Sequence, residues 1–247
     1  MALKVAWSIT AKVRNDMFVV IEGIDGSGKG TVTKELAARL QQDGRTVETI
    51  SFPRYDKTLY GKLIGRYLNG EFGSSTHPYL HGTLYTLDRY ESKQHLQDLI
   101  ANNDFVLSDR YIPSNLCYSA AKARKEEQDE VIKHFVDLEY GILKMPVPDV
   151  LLFLDMPVDF AVKNIAKKAA RVYTDSAADL YESDTQLLKE ARAFYSSKLM
   201  AHHPKTFFKS VECVANDSLK TIDEIVEHLK LTLLQLKGAI SCESNAV

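Results

Sequence analysis

The stretch from Phe18 to Thr31 constrains the fold of this chain more than any other. It reads Phe-Val-Val-Ile-Glu-Gly-Ile-Asp-Gly-Ser-Gly-Lys-Gly-Thr. The opening apolar run indicates a buried parallel strand, and the four glycines that follow indicate a tight, exposed turn. Apolar residues then recur at helical spacing from Val32 to Leu40. Strand, glycine-rich loop and helix in this order direct backbone N–H groups and a helix N-terminus at a phosphate chain.

The segment from Gly23 to Lys29 fits the pattern G-x-x-x-x-G-K, which predicts a nucleotide-binding loop whose lysine reaches the β- and γ-phosphates. We therefore expect Lys29 to be catalytic. Where this pattern normally has Ser or Thr, the chain has glycine, and the hydroxyl comes one residue later. The predicted ATP-binding residues are Gly23, Asp25, Gly26, Ser27, Gly28, Lys29, Gly30 and Thr31.

Composition excludes several other classes of function. A formal net charge of -2 gives no support for a surface that coats nucleic acid, and no apolar run approaches the ~18 residues of a membrane span. The three cysteines are widely spaced and form no metal pattern, which favours a reducing compartment, and we expect a cytoplasmic protein. Residues 1–16 are predicted to form a disordered N-terminal extension, with a natural start at Met17 and a short targeting peptide as the alternatives.

Alternating strand and helix patterns predict an α/β fold with a five-stranded parallel sheet flanked by helices on both sides. We expect one domain over residues 17–237, with a mobile lid at about 167–183 where periodicity lapses, and a frayed tail at 238–247. After the first strand, the predicted strands are 46–52, 105–107, 150–154 and 207–214. The pattern also predicts single continuous helices over 78–101, 126–143 and 219–236.

Charged residues are predicted to meet at the carboxyl ends of the strands, where such sheets bind ligands. Asp25 and Lys29 follow the first strand, Arg54 the second, and Asp109 with Arg110 the third; the lid adds Lys167, Lys168, Arg171 and Glu182. Cations around a phosphate loop suit phosphoryl transfer, which depends on positioning and charge neutralisation. No general base stands out, and a phosphate acceptor needs none. His77 and His81 have helical metal-site spacing but lack a third ligand, so no zinc site is expected.

These features together resemble the thymidylate kinase family, with P-loop NTPase-like architecture. The resemblance runs from Phe18 to about Leu236. Phe-Pro-Arg, an arginine-bearing helix and Asp-Arg-Tyr in this order are far more specific than the loop alone. The motifs are Glu22–Lys29, Phe52–Tyr55, Leu84–Arg89, Ser108–Tyr111, Leu154–Pro157 and Tyr181–Asp184. The resemblance implies that dTMP is phosphorylated to dTDP by ATP-Mg in dTTP synthesis.

The resemblance also implies residue roles. Tyr85 would stack on thymine, Arg89 would hydrogen-bond the base edge, and Arg54 with the catalytic Arg110 would hold the acceptor phosphate. Asn115 would read the pyrimidine and Tyr118 would crowd the 2′ position. The implied dTMP-binding residues are Asp25, Phe52, Arg54, Tyr85, Arg89, Arg110, Asn115, Tyr118 and Tyr181. The implied Mg2+ residues are Asp25, Asp109 and Glu182, and the implied assembly is a homodimer.

Two positions depart from the family pattern. Some members carry an arginine at the position of Gly26, so here the lid must supply that cation, and Arg171 is the candidate. Gly30 offers no hydroxyl, so Mg2+ should be held through water, phosphates and carboxylates.

Three alternative functions remain open at this stage. The chain could be another nucleoside monophosphate kinase of the UMP/CMP type, or a non-catalytic paralogue that binds nucleotide. A regulatory nucleotide switch is less compatible, because the sequence has no Asn-Lys-x-Asp guanine-reading motif and its acceptor-side arginines would have no role.

Overall fold

The computed structural model describes residues 16–72, 77–167, 184–203 and 206–244. The expectations for the N-terminal extension before Asp16, for most of the lid and for the last three residues therefore lie outside the described residues.

A five-stranded parallel sheet forms the centre of the molecule, which confirms the predicted fold class. The spatial order is β2-β3-β1-β4-β5. The first strand, β1, lies between β3 and β4, and Ile21 on β1 is in register with Asp109 on β3. The strands are β1 (Met17–Glu22), β2 (Val47–Ser51), β3 (Phe105–Asp109), β4 (Val150–Asp155) and β5 (Phe207–Glu212). Every residue of β1 is buried, as expected for an apolar strand inside a parallel sheet.

Helices cover the sheet. They are α1 (Lys29–Gln42), α2 (Leu59–Leu68), α3 (Pro78–Glu91), α4 (Lys93–Asn102), α5 (Ile112–Lys122), α6 (Gln128–Val136), α7 (Val158–Ala166), α8 (Thr185–Ser197) and α9 (Ile222–Ser244). Helix α1 packs against α9, whereas α5 packs against α3, α6 and α8. Because chain order reverses on the two sides of β1, a crevice opens at the carboxyl ends of β1 and β3.

Two of the predicted helices are divided in the structure. The helix predicted over 78–101 is two helices, α3 and α4, which meet at Ser92. The Ser92 hydroxyl accepts a hydrogen bond from the Arg54 side chain. The helix over 126–143 is a 3₁₀ turn (Lys125–Glu127), then α6, then a π-helical segment (Asp137–Ile142). Simple 3.6-residue periodicity does not distinguish these helix types.

The C-terminal part differs as well. A short hairpin, β6 (Val214–Ala215) and β7 (Ser218–Leu219), follows β5, because Asn216 and Asp217 adopt the left-handed backbone that a tight hairpin turn needs. Helix α9 starts after this hairpin and continues to Ser244, into the segment expected to fray. Lys237 anchors the C-terminal half of α9 to the rest of the domain, because its ammonium binds the Asp104 side chain at 2.7 Å.

Candidate active site

The phosphate loop leads directly into the N-terminus of α1, as the sequence predicts. Lys29 is the first residue of α1, and its ammonium donates to the Ile24 carbonyl oxygen at 2.9 Å, so the side chain folds back over the loop. Burial and the nearby positive charge of Arg110 lower the pKa of Lys29 to about 8. The loop thus presents a desolvated cation at the N-terminus of α1.

Gly26 has a packing role that its sequence position does not reveal. Its φ is +81°, and a Cβ atom there would overlap the backbone of Ala161 on α7. Asn164 on the same helix donates to the Gly26 carbonyl at 3.0 Å. This close approach leaves no room for the arginine that some family members carry at this position, so any corresponding cation must come from elsewhere.

Asp25, Arg110 and Tyr118 form a compact charged cluster facing the loop. Arg110 Nη2 lies 2.5 Å from Asp25 Oδ1, and the Tyr118 hydroxyl donates to Asp25 Oδ2 at 3.0 Å. Burial acts to raise the pKa of Asp25, but the charges of Arg110 and Lys29 outweigh it and hold that pKa well below its usual range. Asp25 is therefore ionised at neutral pH, and its carboxylate orients the Arg110 guanidinium.

Arg110 is held in an unusual backbone conformation, with a φ of +66° just past the end of β3. Its N–H donates to the Ile21 carbonyl at 3.0 Å, and its own carbonyl accepts from Ser108 Oγ at 2.6 Å. Its Nη1 donates to Ser114 Oγ at 2.9 Å. Strained residues of this kind persist where the surroundings fix them, and they concentrate at functional sites.

A buried glutamate, Glu22, fixes the position of Ser114, the hydrogen-bond partner of Arg110. Glu22, the last residue of β1, accepts from the Tyr111 and Ser114 backbone N–H groups, from Ser114 Oγ at 2.6 Å and from the Tyr195 hydroxyl at 2.8 Å. Burial raises the pKa of Glu22 despite these donors. Through Ser114, the network links Arg110 to α8, the helix that follows the predicted lid.

Asp109 and Gly30 provide an observation that bears on a metal ion. In the described part of the chain, two buried side-chain polar atoms lack a hydrogen-bond partner, Ser27 Oγ in the phosphate loop and Asp109 Oδ1 at the end of β3. A Cβ on Gly30 would lie 3.1 Å from Asp109 Oδ2, so a larger residue there would crowd the carboxylate. Unpartnered oxygens beside a phosphate loop suit a hydrated Mg2+ with its nucleotide. Asp25 fits direct ligation less well, because Arg110 and Tyr118 occupy both of its oxygens.

The Phe52-Pro53-Arg54 turn leaves β2 through a cis peptide before Pro53. Asp88 on α3 fixes this turn by accepting from the Arg54 N–H at 3.1 Å and from the Thr58 hydroxyl. Phe52 lines the cavity described below, but the Arg54 side chain does not; its Nη1 donates to Ser92 Oγ at 3.2 Å.

The opposite wall is formed by α3 and α5. Tyr85 is half-buried, and its ring lies 4.7 Å from that of His81. Arg89 is 2% exposed and makes a two-point ion pair with the fully buried Glu139. Both ends of the Asn115 amide are engaged within the protein, by Glu139 at 2.9 Å and by Ser119 at 3.2 Å. Asn115 also lines the cavity described below, so its role in reading a base stays a prediction.

A single cavity of about 350 Å³ connects these features, within the range of small-ligand sites. The predicted residues that line it are Asp25, Gly26, Gly28, Lys29, Gly30, Thr31, Phe52, Tyr85, Arg89, Asp109, Arg110, Asn115 and Tyr118. Gly23 and Ser27 belong to the loop but do not line the cavity. Arg171, Tyr181 and Glu182 lie outside the described residues.

Sequence reasoning missed several residues of this site, among them Glu22, His81, Ser114 and Glu139. A glutamate ending an apolar strand was a usable signal for Glu22. The sequence offers His81 only through its metal-like spacing with His77, whereas in the structure its side chain lines the cavity. Glu139 had no local signal, because its partners are distant in sequence.

Comparison with known proteins gives a consistent result. The thymidylate kinase family profile matches residues 21–217. The thymidylate kinase of Mycobacterium tuberculosis is 32% identical over 181 residues, covering 73% of this chain and 84% of that protein. A probable thymidylate kinase of Thermococcus onnurineus is 30% identical over 220 residues, covering 86% and 98%.

Among solved structures, the thymidylate kinase of Candida albicans superimposes with a TM-score of 0.67 at 24% identity, covering 90% of this chain and 92% of that one, which supports the fold. No helix in the part of the chain that the structure describes is both long enough and apolar enough to cross a membrane. The family profile spans most of the chain, both of these relatives are at least 30% identical to it, and the phosphate loop with its arginine cluster fits the same chemistry, so this chain belongs to the thymidylate kinase family.

Proposed function

We propose that this protein transfers the γ-phosphoryl group of ATP to dTMP, giving dTDP and ADP for dTTP synthesis. The observation that carries the proposal is the continuous cavity. It joins the phosphate loop and Lys29 to the Asp25–Arg110 cluster, and that cluster to the Tyr85–Arg89 wall. A donor triphosphate, an acceptor phosphate and a flat base each have a chemically suitable part of one cavity.

In the proposed reaction, an oxygen of the dTMP phosphate attacks the γ-phosphorus, and the bond to the bridging oxygen of ADP breaks. Lys29 and the loop N–H groups would neutralise charge on the donor phosphates. Arg110, oriented by Asp25, would bind the acceptor phosphate, and its fork suits paired oxygens. The acceptor is already ionised at neutral pH, so no protein base is needed.

Magnesium would be held beside Asp109 through water, with Glu182 and Asp25 as the other carboxylates proposed from sequence. When bound, Mg2+ neutralises the developing charge on the phosphates. Tyr85 and Arg89 would contact thymine, with Phe52 and Tyr181 beside it, and Tyr118 would lie near the sugar. Arg54 would have to leave Ser92 to reach the acceptor phosphate.

The direct test is a coupled assay of ADP release with dTMP and ATP, using Lys29→Ala as the paired variant. We expect the wild type to turn over and Lys29→Ala to lose at least ~10²-fold in kcat, because an electrostatic stabiliser of the transferred group is gone. Lys34→Ala is the matched control, because Lys34 lies on the same helix but is exposed outside the cavity. Normal turnover by a correctly folded Lys29→Ala would rule out this assignment, and preference for UMP or CMP would favour the alternative kinase.

A pH profile tests the state of Lys29 in the free enzyme. Its pKa of about 8 means that the ammonium loses its proton as pH rises above that value, so kcat/KM should fall by about tenfold per pH unit there. Bound phosphates favour the charged form, so kcat should stay level to higher pH. The coupling enzymes must be checked with ADP at each pH. A kcat/KM that stays level to pH ~9.5 would show that Lys29 is not the titrating cation.

The family resemblance also implies a homodimer, which we retain as a proposal. Exposed large apolar side chains on α3, Leu80 and Tyr90, are candidates for the contact. We also propose a cytoplasmic location, supported by the free buried thiols of Cys117 and Cys213.

A further inference from the structure

A buried hydrogen-bond network behind the α3–α5 wall centres on Glu139. Its side chain is 0% exposed and belongs to the π-helical segment Asp137–Ile142. Its carboxylate accepts from Arg89 Nε at 2.7 Å and Nη2 at 2.5 Å. It also accepts from Asn115 Nδ2 at 2.9 Å and from Thr86 Oγ1 at 3.1 Å. Two of these donor residues, Arg89 and Asn115, line the cavity, whereas Glu139 does not.

The carboxylate fixes which way the Asn115 amide points. Oxygens of an ion-paired carboxylate only accept hydrogen bonds, so Asn115 must present its NH2 group to Glu139. The reversed amide would bring Oδ1 against Glu139 and against the Gly82 carbonyl, which now accepts from Nδ2 at 3.1 Å. Oδ1 is therefore directed at Ser119, whose hydroxyl donates to it at 3.2 Å.

The same logic extends one step further, to His81. Ser119 has one hydroxyl proton, which it gives to Asn115, so it must accept from His81 Nδ1 at 3.0 Å. Burial, with the charges of Lys122 and Arg89, lowers the pKa of His81 to about 3, so the ring is neutral. A neutral ring with its proton on Nδ1 has Nε2 as its acceptor nitrogen. Each group therefore donates a hydrogen bond to the next, from His81 through Ser119 and Asn115 to Glu139.

We propose that Glu139 is a positioning residue that sets the hydrogen-bond polarity of this cavity wall, and with it the choice of pyrimidine. It holds the Arg89 guanidinium by Nε and Nη2, which leaves Nη1 to meet a base oxygen, and it fixes His81 in the Nδ1–H form. Thymine offers an oxygen acceptor where cytosine carries an amino donor, so a wall that presents an arginine donor favours thymine. This inference rests on the proposed function, because it assumes that the cavity wall contacts the acceptor base.

The test uses Glu139→Gln in the full chain, because one carboxylate oxygen becomes a donor and conflicts with Arg89 or Asn115. We expect KM for dTMP to rise ~10-fold or more while kcat stays within ~3-fold, since a base contact remote from the transferred phosphoryl binds ground state and transition state alike. The dTMP/dCMP ratio of kcat/KM should fall ~10-fold or more, because the fixed donor pattern is lost. Glu139→Asp keeps the charge and should retain more of the ratio.

Asp129→Asn is the matched control. It makes the same charge change on neighbouring α6, at a side chain that is 84% exposed and pairs with Lys198. Its kinetics and its dTMP/dCMP ratio should equal those of the wild type. A folded Glu139→Gln with an unchanged ratio would overturn the inference. So would a loss confined to kcat and shared equally by both nucleotides, since that is the signature of a merely structural role.

A second readout does not depend on activity. Nitrogen-15 NMR of the His81 ring should show the Nδ1–H tautomer in the wild type, and a measurable Nε2–H fraction in Glu139→Gln, where the Asn115 amide can reverse. An Nε2–H ring in the wild type would overturn the inferred direction. Failure of the proposed function would look different, because the wild type itself would then not phosphorylate dTMP.

Discussion

dTMP is expected to exceed dCMP as the phosphoryl acceptor by ~10⁴ or more in kcat/KM, because a site built to hydrogen-bond one partner leaves buried groups unpaired with the other. The reason lies in Arg89, a buried cation that can only donate and whose orientation Glu139 holds. Facing the amino edge of cytosine, its guanidinium would meet a donor in place of an acceptor. Steady-state kinetics with both monophosphates at saturating ATP measures the ratio.

The internal control for this measurement is dUMP. It keeps the oxygen pattern of thymine and lacks only the methyl group. It should therefore be a substrate whose kcat/KM is ~10–200-fold lower than that of dTMP. Equal kcat/KM for dTMP and dCMP would contradict the base-reading role of Arg89. It would also favour the alternative that this chain is a nucleoside monophosphate kinase of the UMP/CMP type.

Replacement of Arg171 by alanine is expected to lower kcat by ~10³-fold or more while dTMP affinity changes little, because such an arginine acts on the transferred charge in the transition state. Arg171 lies outside the described residues, and the prediction rests on the sequence and on Gly26. Ala161 and Asn164 close the space at Gly26, so the phosphate loop cannot carry this arginine itself.

The controls separate a lost catalytic charge from a lost surface charge. Arg66→Ala removes an arginine that is 63% exposed and ion-paired with Glu71, and it should leave kcat unchanged. Arg171→Lys should recover only part of the activity, because an ammonium lacks the planar fork. An independent dTMP titration checks affinity. Near-normal kcat in Arg171→Ala would make the lid assignment wrong and would direct attention to Lys167 and Lys168.

Local patterns in the sequence were enough for the fold class and for the phosphate loop. Buried parallel strands are apolar runs, and a loop that approaches phosphate closely needs glycines, so both features appear within a few consecutive residues. The same locality explains why Asp25, Lys29 and Arg110 could be placed at the carboxyl ends of the strands. It also explains the errors: π-helical and 3₁₀ segments, the division at Ser92 and the β6–β7 hairpin are small departures from regular periodicity.

Only the tertiary structure decided which side chains hold the site in place. Arg89 and Glu139 are separated by 50 residues, Asp25 and Arg110 by 85, and Glu22 and Tyr195 by 173. A sequence pattern reports the face that a residue occupies on its own element, but not the buried donor or acceptor that faces it from another. Burial makes these pairings obligatory, because a polar group removed from water must find its partner inside the protein. The sequence therefore determined the chemistry present at this site, and the packing of distant elements determined how that chemistry is oriented.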